Sequence, residues 1–179
     1  MSGGNGNDVM VSLGEAVMFG DSGNDTMRAG FCDDKMFGGT GNDWLDGGKG
    51  DDEMFGGTGD DILEGGAGRN TLRGGLGKDT FVLSGDGIAV ITDFRFGQDQ
   101  IKTPLDKQGF KIDELVLGTD QATGFATISA EVVSSSAYES SGSRTLAILE
   151  NVTLDQLQAL DQLQAPSDHI LPGAVHTLF

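Results

Sequence analysis

Residues 38–64 read GGTGNDWLD, GGKGDDEMF, GGTGDDILE, three successive blocks of nine. Each sets two glycines, a third glycine and an aspartate at fixed spacing: Gly38, Gly39, Gly41 and Asp43, then Gly47, Gly48, Gly50 and Asp52, then Gly56, Gly57, Gly59 and Asp61. A tight glycine-rich turn aims backbone carbonyl oxygens into the gap between stacked segments, and the aspartate adds a carboxylate. Hard oxygen donors of this kind, several per site and partly main-chain, suit Ca²⁺. Mg²⁺ fits less well, because it prefers a rigid octahedron and keeps its waters.

Such donors need elements that hold them in line. Counted from Gly3, nine units lie end to end over residues 3–82, and only the second (12–19) is short. Position six is aspartate in seven of them, Asp8, Asp25, Asp34, Asp43, Asp52, Asp61 and Asp79, with Ala16 and Asn70 as exceptions. Position eight is apolar in all nine: Met10, Met18, Met27, Met36, Leu45, Met54, Leu63, Leu72 and Phe81. Positions seven to nine suffice for a minimal strand, in which the uniform column faces a core and the mixed columns on either side face out. Positions one to six form the turn. Two units make one coil of 18 residues, and coils stack about 4.8 Å apart.

The predicted fold is all-β: a parallel β-roll, a two-sheet right-handed solenoid, with a β-rich C-terminal cap and a short helix. Its core is one thin layer of Met and Leu, too small to stabilise the fold alone. Stacking pairs unit n with n+2. One edge therefore carries Asp8, Asp25, Asp43, Asp61 and Asp79, and the other carries Asp34 and Asp52 between the defective positions Ala16 and Asn70. Without metal, each edge is a self-repelling column of carboxylates. With metal, each ion cross-links two coils, and the pairing allows up to about seven inter-coil ions.

These nonapeptides resemble the GGxGxDxUx repeats of the RTX (repeats-in-toxin) calcium-binding family. The resemblance covers residues 3–82 and is most specific from Gly38 to Asp61. It implies a parallel β-roll with each ion between the turns of units n and n+2, every position-six Asp serving two ions. It also implies carbonyl ligands from positions one and three (Gly38, Thr40, Gly47, Lys49, Gly56, Thr58) toward one neighbour. Positions two and four (Gly39, Gly41, Gly48, Gly50, Gly57, Gly59) would serve the other. Unit 29–37 departs from the pattern with Cys32 in place of a glycine. The segment ITDFRFGQDQI resembles the stretch that follows and caps such rolls, so Asp93 and Asp99 are candidate ligands of a final ion. The family further implies type I secretion of an unfolded chain that folds on Ca²⁺ outside the cell.

The rest of the sequence is compatible. A net charge of −17 opposes nucleic acid and anionic lipid as partners. A single cysteine precludes an internal disulfide. The N-terminus shows no basic and apolar leader pattern, and no stretch approaches the ~20 apolar residues of a membrane span. No HExxH, GxSxG or CxxC motif occurs, so no catalytic role is expected within the chain. His169 and His176 are read as solvent-facing residues of a loosely ordered tail. A cap over 83–150 should contain strands in IAVITDFRFGQDQI, FATISAEVV and RTLAILE. Residues 151–179 should hold a helix over 153–163 and a tail with a candidate type I secretion signal. Phe19, Phe37 and Phe55, spaced by 18, should stack on the outer face of one sheet, covered by residues 100–150, by a partner or by a second copy. Beside a calcium-dependent folding and secretion module, two roles remain: the non-catalytic part of a secreted protease, lipase or alginate epimerase, or a surface or matrix assembly protein.

Overall fold

The computed structural model describes residues 1–84, 86–103, 110–134, 142–153, 155–156 and 176–178. All nine position-eight residues are buried, from Met10 to Phe81, while positions seven and nine face outward or lie half-buried in most units. Two parallel sheets result. The first runs β1 (Ser2–Asn5), β3 (Val17–Ser22), β5 (Lys35–Thr40), β7 (Glu53–Thr58), β9 (Gly68–Leu76), β11 (Gly87–Ile91), β15 (Gly142–Leu149), β14 (Ala126–Ser134) and β13 (Phe110–Thr119). The second runs β16 (His176–Leu178), β12 (Gln100–Thr103), β10 (Thr80–Val82), β8 (Ile62–Glu64), β6 (Trp44–Asp46), β4 (Thr26–Arg28) and β2 (Val9–Val11). Together they form a parallel β-solenoid of about 6 turns.

Register follows the repeat. Met18 pairs with Met36 and Met36 with Met54 in the first sheet, and Met27 with Leu45 and Leu45 with Leu63 in the second. The expected three-residue strands appear in the second sheet only. In the first, β3, β5 and β7 each span six residues. There the chain stays in the ladder through positions one to three, so Gly39 pairs with Gly57 and Thr40 with Thr58. Position two makes this possible by adopting a positive φ, 111° at Gly39 and 119° at Gly57, a region that a Cβ closes to most residues.

Coil stacking continues past residue 82. β11 pairs parallel with β9, β12 with β10, and β15 with β11. The core columns run on with it, from Leu72 to Ile91 and Leu149, and from Phe81 to Ile101. Two antiparallel pairings, β15 with β14 and β14 with β13, then extend the first sheet. β13 is a strand the sequence reading missed. A turn joins it to β14, in which Asp120 Oδ1 accepts the N–H groups of Ala122 and Thr123.

Two further expectations need correction. The tail is not wholly irregular, because His176–Leu178 pair antiparallel with β12 and close one edge of the second sheet. The described parts of residues 100–150 do not lie over the phenylalanines: they add strands at the end of the stack. Phe19, Phe37 and Phe55 do stack, with ring centroids 5.0 Å apart and interplanar angles of 9° and 4°. Their faces are taken up by one another, and the next residue in the column is Arg73. Of the predicted helix, Asp155 and Gln156 are helical, entered through Thr153, whose N–H donates to Gln156 Oε1. Most of its remainder, and His169, lie outside the described residues.

Gly57→Ala tests the backbone argument. A Cβ there collides with the carbonyl oxygen of Gly39 and meets a φ of 119°. The substitution should cost more than about 1 kcal/mol in denaturant unfolding of the calcium-saturated chain.

Candidate metal centre

The two roll edges carry the aspartate columns, and one hydrogen bond per coil orients them. On the first edge the N–H of Asp8 donates to Oδ1 of Asp25, that of Asp25 to Asp43 and that of Asp43 to Asp61, each at 2.8 Å. Asp61 continues to Asp79 and Asp79 to Asp99, both at 3.1 Å. On the second edge Ala16 donates to Asp34, Asp34 to Asp52 and Asp52 to Asn70, at 2.6, 2.8 and 2.9 Å. With Oδ1 pinned by the preceding coil, Oδ2 is left facing the inter-coil gap.

There it finds no donor. Oδ2 of Asp8, Asp25, Asp34, Asp43, Asp52 and Asp61 is buried without a hydrogen-bond partner in the protein. A buried carboxylate oxygen left unpaired costs on the order of 1–3 kcal/mol or more, and six in register mark a missing positive charge. The space around them is shaped by the position-one glycines. A methyl group on Gly20, Gly38, Gly47 or Gly56 would collide with Oδ2 of the same unit's aspartate. It would also meet the carbonyl oxygen of the position-one glycine in the next coil, at 2.5 Å for Gly38 and 2.7 Å for Gly47 and Gly56. Carboxylate and carbonyl oxygens thus converge on one cradle that only a missing side chain keeps open.

Among the described residues four cradles show this form: Gly20, Asp25 and Gly38; Gly38, Asp43 and Gly56; Gly56, Asp61 and Gly74 on the first edge; Gly47, Asp52 and Gly65 on the second. The other predicted ligands are placed around them. Gly39 and Gly41 stack their carbonyls under the α-carbons of Gly57 and Gly59, as Gly48 and Gly50 do under Gly66 and Gly68. The carbonyls of Thr40 and Thr58 accept the N–H of Gly23 and Gly41 at 2.8 Å, which occupies one lone pair of each. Lys49 bridges to Ala67 through its backbone. Unit 29–37 is irregular. Ala29 stands at position one, and Gly30 and Cys32 lack the positive φ of positions two and four in the regular units. No group of three or more His, Cys, Asp or Glu side chains converges among the described residues. The donor set is one carboxylate per coil plus main-chain oxygens, the chemistry of a hard cation.

The same burial perturbs ionisation. Burial pushes the carboxyl groups of Asp52 and Asp61 up to about 7. The donated N–H of Asp34 or Asp43 opposes this, while the neighbouring aspartates reinforce it. Asp43 is raised for the same reasons. Burial pushes Asp79 up to about 6, opposed by the donated N–H of Asp61, with Asp99 raising it and Arg95 lowering it.

Several functional residues were missed by the sequence reading. Position five forms a second ladder of opposite polarity: Oδ1 of Asn7 accepts the N–H of Asn24, Asn24 that of Asn42, and Asn42 that of Asp60, at 2.8, 2.8 and 2.9 Å. Asp33 and Asp51 repeat this on the other edge. The signal was present, since position five is Asn or Asp in six units, and Arg69 and Lys78 follow in the units where the ladders end. Asp93 was named as a candidate ligand of a final ion; its two oxygens accept the N–H groups of Gly74 and Gly75 at 3.0 and 2.9 Å, closing the turn that a further repeat would otherwise cover. Arg95, not anticipated at all, lies between Asp79 and Asp99.

The model of the RTX calcium-binding nonapeptide repeat matches in four copies, over residues 2–45, 19–54, 33–63 and 55–86. Through residues 2–86 the chain belongs to the RTX calcium-binding nonapeptide-repeat family. That segment forms a calcium-binding β-roll module. Curated proteins show no significant match. Among solved structures it is similar to the AlgE6R3 subunit of the Azotobacter vinelandii mannuronan C5-epimerase, at 20% identity and a TM-score of 0.24, over 95% of this chain and 87% of that one.

The raised carboxyl groups set a pH dependence. In chelator the folded-state values near 7 exceed the unfolded value of 3.8, so the folded chain binds more protons between them. The metal-free fold should therefore gain stability as pH falls from about 8 toward 5. Calcium-loaded protein should show the reverse, because protons displace the ion. Thermal unfolding across this range, with and without Ca²⁺, checks both signs.

Proposed function

We propose that the roll is a calcium-dependent folding unit of an exported protein: unfolded where Ca²⁺ is scarce, folded where it is plentiful. The observation that carries this reading is the set of six buried, donorless Oδ2 atoms in two columns. Each cradle joins oxygens from consecutive coils, so an ion bound there stabilises only the stacked state. Ligands that bind only the folded chain shift its stability by mass action, and several linked sites make the shift steep. Extracellular calcium modules work near about 10⁻⁴–10⁻³ M, which suits a switch thrown on leaving the cell. Family membership and the strongly acidic composition support the export context, with type I secretion as the route the family implies. The four complete cradles are the sites we assign to Ca²⁺ first, with the remaining Asp8 and Asp34 positions weaker.

The chain supplies its own isosteric test. Asn70 stands in the second column and still accepts the N–H of Asp52 through Oδ1 at 2.9 Å, so Asp61→Asn keeps the ladder and removes only the charge. By calorimetric titration it should lose at least one bound Ca²⁺ and raise the folding midpoint about tenfold, or about 1.4 kcal/mol. Asp46→Asn, on the outer face beside Arg28, is the control. Equal effects of the two substitutions would contradict the assignment.

A further inference from the structure

The last rung of the first-edge column differs from the others in what fills it. Asp99 occupies the column's next position. The N–H of Asp79 donates to its Oδ1 at 3.1 Å and the N–H of Gln100 to the carbonyl of Asp79 at 2.8 Å. The same two bonds, at 3.1 and 2.8 Å, join Asp61 to Asp79 and Thr80 to Asp61. At the earlier rungs Oδ2 has no donor. Here the guanidinium of Arg95 enters the gap. Its Nη2 lies 3.3 Å from Asp79 Oδ2 and 3.0 Å from the carbonyl oxygen of Gly77, and its Nε, which makes no hydrogen bond, pairs by charge with Asp99 Oδ2 at 3.5 Å.

The surroundings complete this seat. Gln98 Nε2 donates to the same Gly77 carbonyl at 2.6 Å, and the backbone N–H of Arg95 donates to Asp99 Oδ2 at 2.8 Å. Asp79 and Asp99 are 0% and 1% exposed, so solvent does little to neutralise them. Two column carboxylates and a turn carbonyl thus surround a planar, permanently charged fork suited to carboxylates. The second edge is discharged at the same end by other means. Asn70 replaces the carboxylate above Asp52, and its Nδ2 donates to the Gly66 carbonyl at 3.3 Å. The bulkiest buried side chains, Phe81 and Phe94, also lie at this end, with ring centroids 6.2 Å apart.

We propose that Arg95 is a built-in cation that takes the place of a calcium ion between Asp79 and Asp99. The column of ions stops one rung short, and the coil of residues 79–101 is held together without metal, forming the edge on which the preceding coils stack as ions bind. This inference rests on the calcium reading above for the other rungs.

The test is Arg95→Gln, compared with the wild-type chain by two readouts: calcium stoichiometry at saturation and amide hydrogen exchange in chelator. Expected is one additional bound Ca²⁺ in the variant. Protection of residues 79–101, present in the wild type without calcium, should be lost. An unchanged ion count, or equal protection in both chains, overturns the proposal. A wild type that binds no Ca²⁺ would sink the calcium reading instead, while the exchange comparison would still decide the role of Arg95. If the variant does not fold even in calcium, a crystal structure of the calcium-loaded wild type decides: Arg95 seated between the two carboxylates supports the assignment, and an ion there with the guanidinium displaced refutes it.

Discussion

Everything in this fold depends on a carboxylate oxygen held out of water with nothing in the protein to neutralise it. The backbone N–H of one coil takes Oδ1 of the aspartate in the next, which fixes both the side-chain rotamer and the coil register. The consequence is an Oδ2 left buried without a donor at six positions along the two columns. In a medium of low polarity that arrangement is repulsive, and desolvation raises the carboxyl groups toward neutral pH. A divalent cation reverses the sign of the interaction. On the function proposed above, the hydrogen-bond ladder that stacks the coils is also what makes them bind metal.

The remaining features follow from that need. Position-one glycines keep the cradle open, since any Cβ would fill it. Positions two and four adopt positive φ in the regular turns, so that main-chain oxygens and ladder bonds alternate within six residues. The Met and Leu columns add a dry interior only one layer thick. The outer faces contribute cross-coil contacts of modest worth: the stacked phenylalanines, the Lys35–Glu53 pair at 2.7 Å and Arg28 over Trp44 at 5.1 Å. None of these contacts brings a positive charge to the buried Oδ2 atoms, which is why the proposed function places the control of folding at the edges.

Much of this was readable in the sequence, for a physical reason. A solenoid repeats one environment, so each environment appears as a column of like residues at fixed spacing; the position-eight core and the position-six edge were both visible that way. The features that escaped are those where column identity changes. Position five mixes Asn and Asp, each able to accept the same N–H, and reads as ordinary turn composition. Beyond Val82 the glycine turns stop while the apolar register persists through Ile91 and Ile101, so the coil continues without its signature. Arg95 inverts the charge of the column it completes, and β16 pairs with β12 across more than seventy residues of chain. Neither kind of relation leaves a local trace.

The most direct measurement is a far-UV circular dichroism titration at pH 8 with Ca²⁺, with Mg²⁺ as the control ion. If buried carboxylate columns govern folding, β signal should rise steeply with Ca²⁺ and remain largely unchanged with Mg²⁺ at equal concentration. A full β spectrum already present in chelator, indifferent to either ion, would show that the thin core and the C-terminal strands suffice and that the columns do not control the fold.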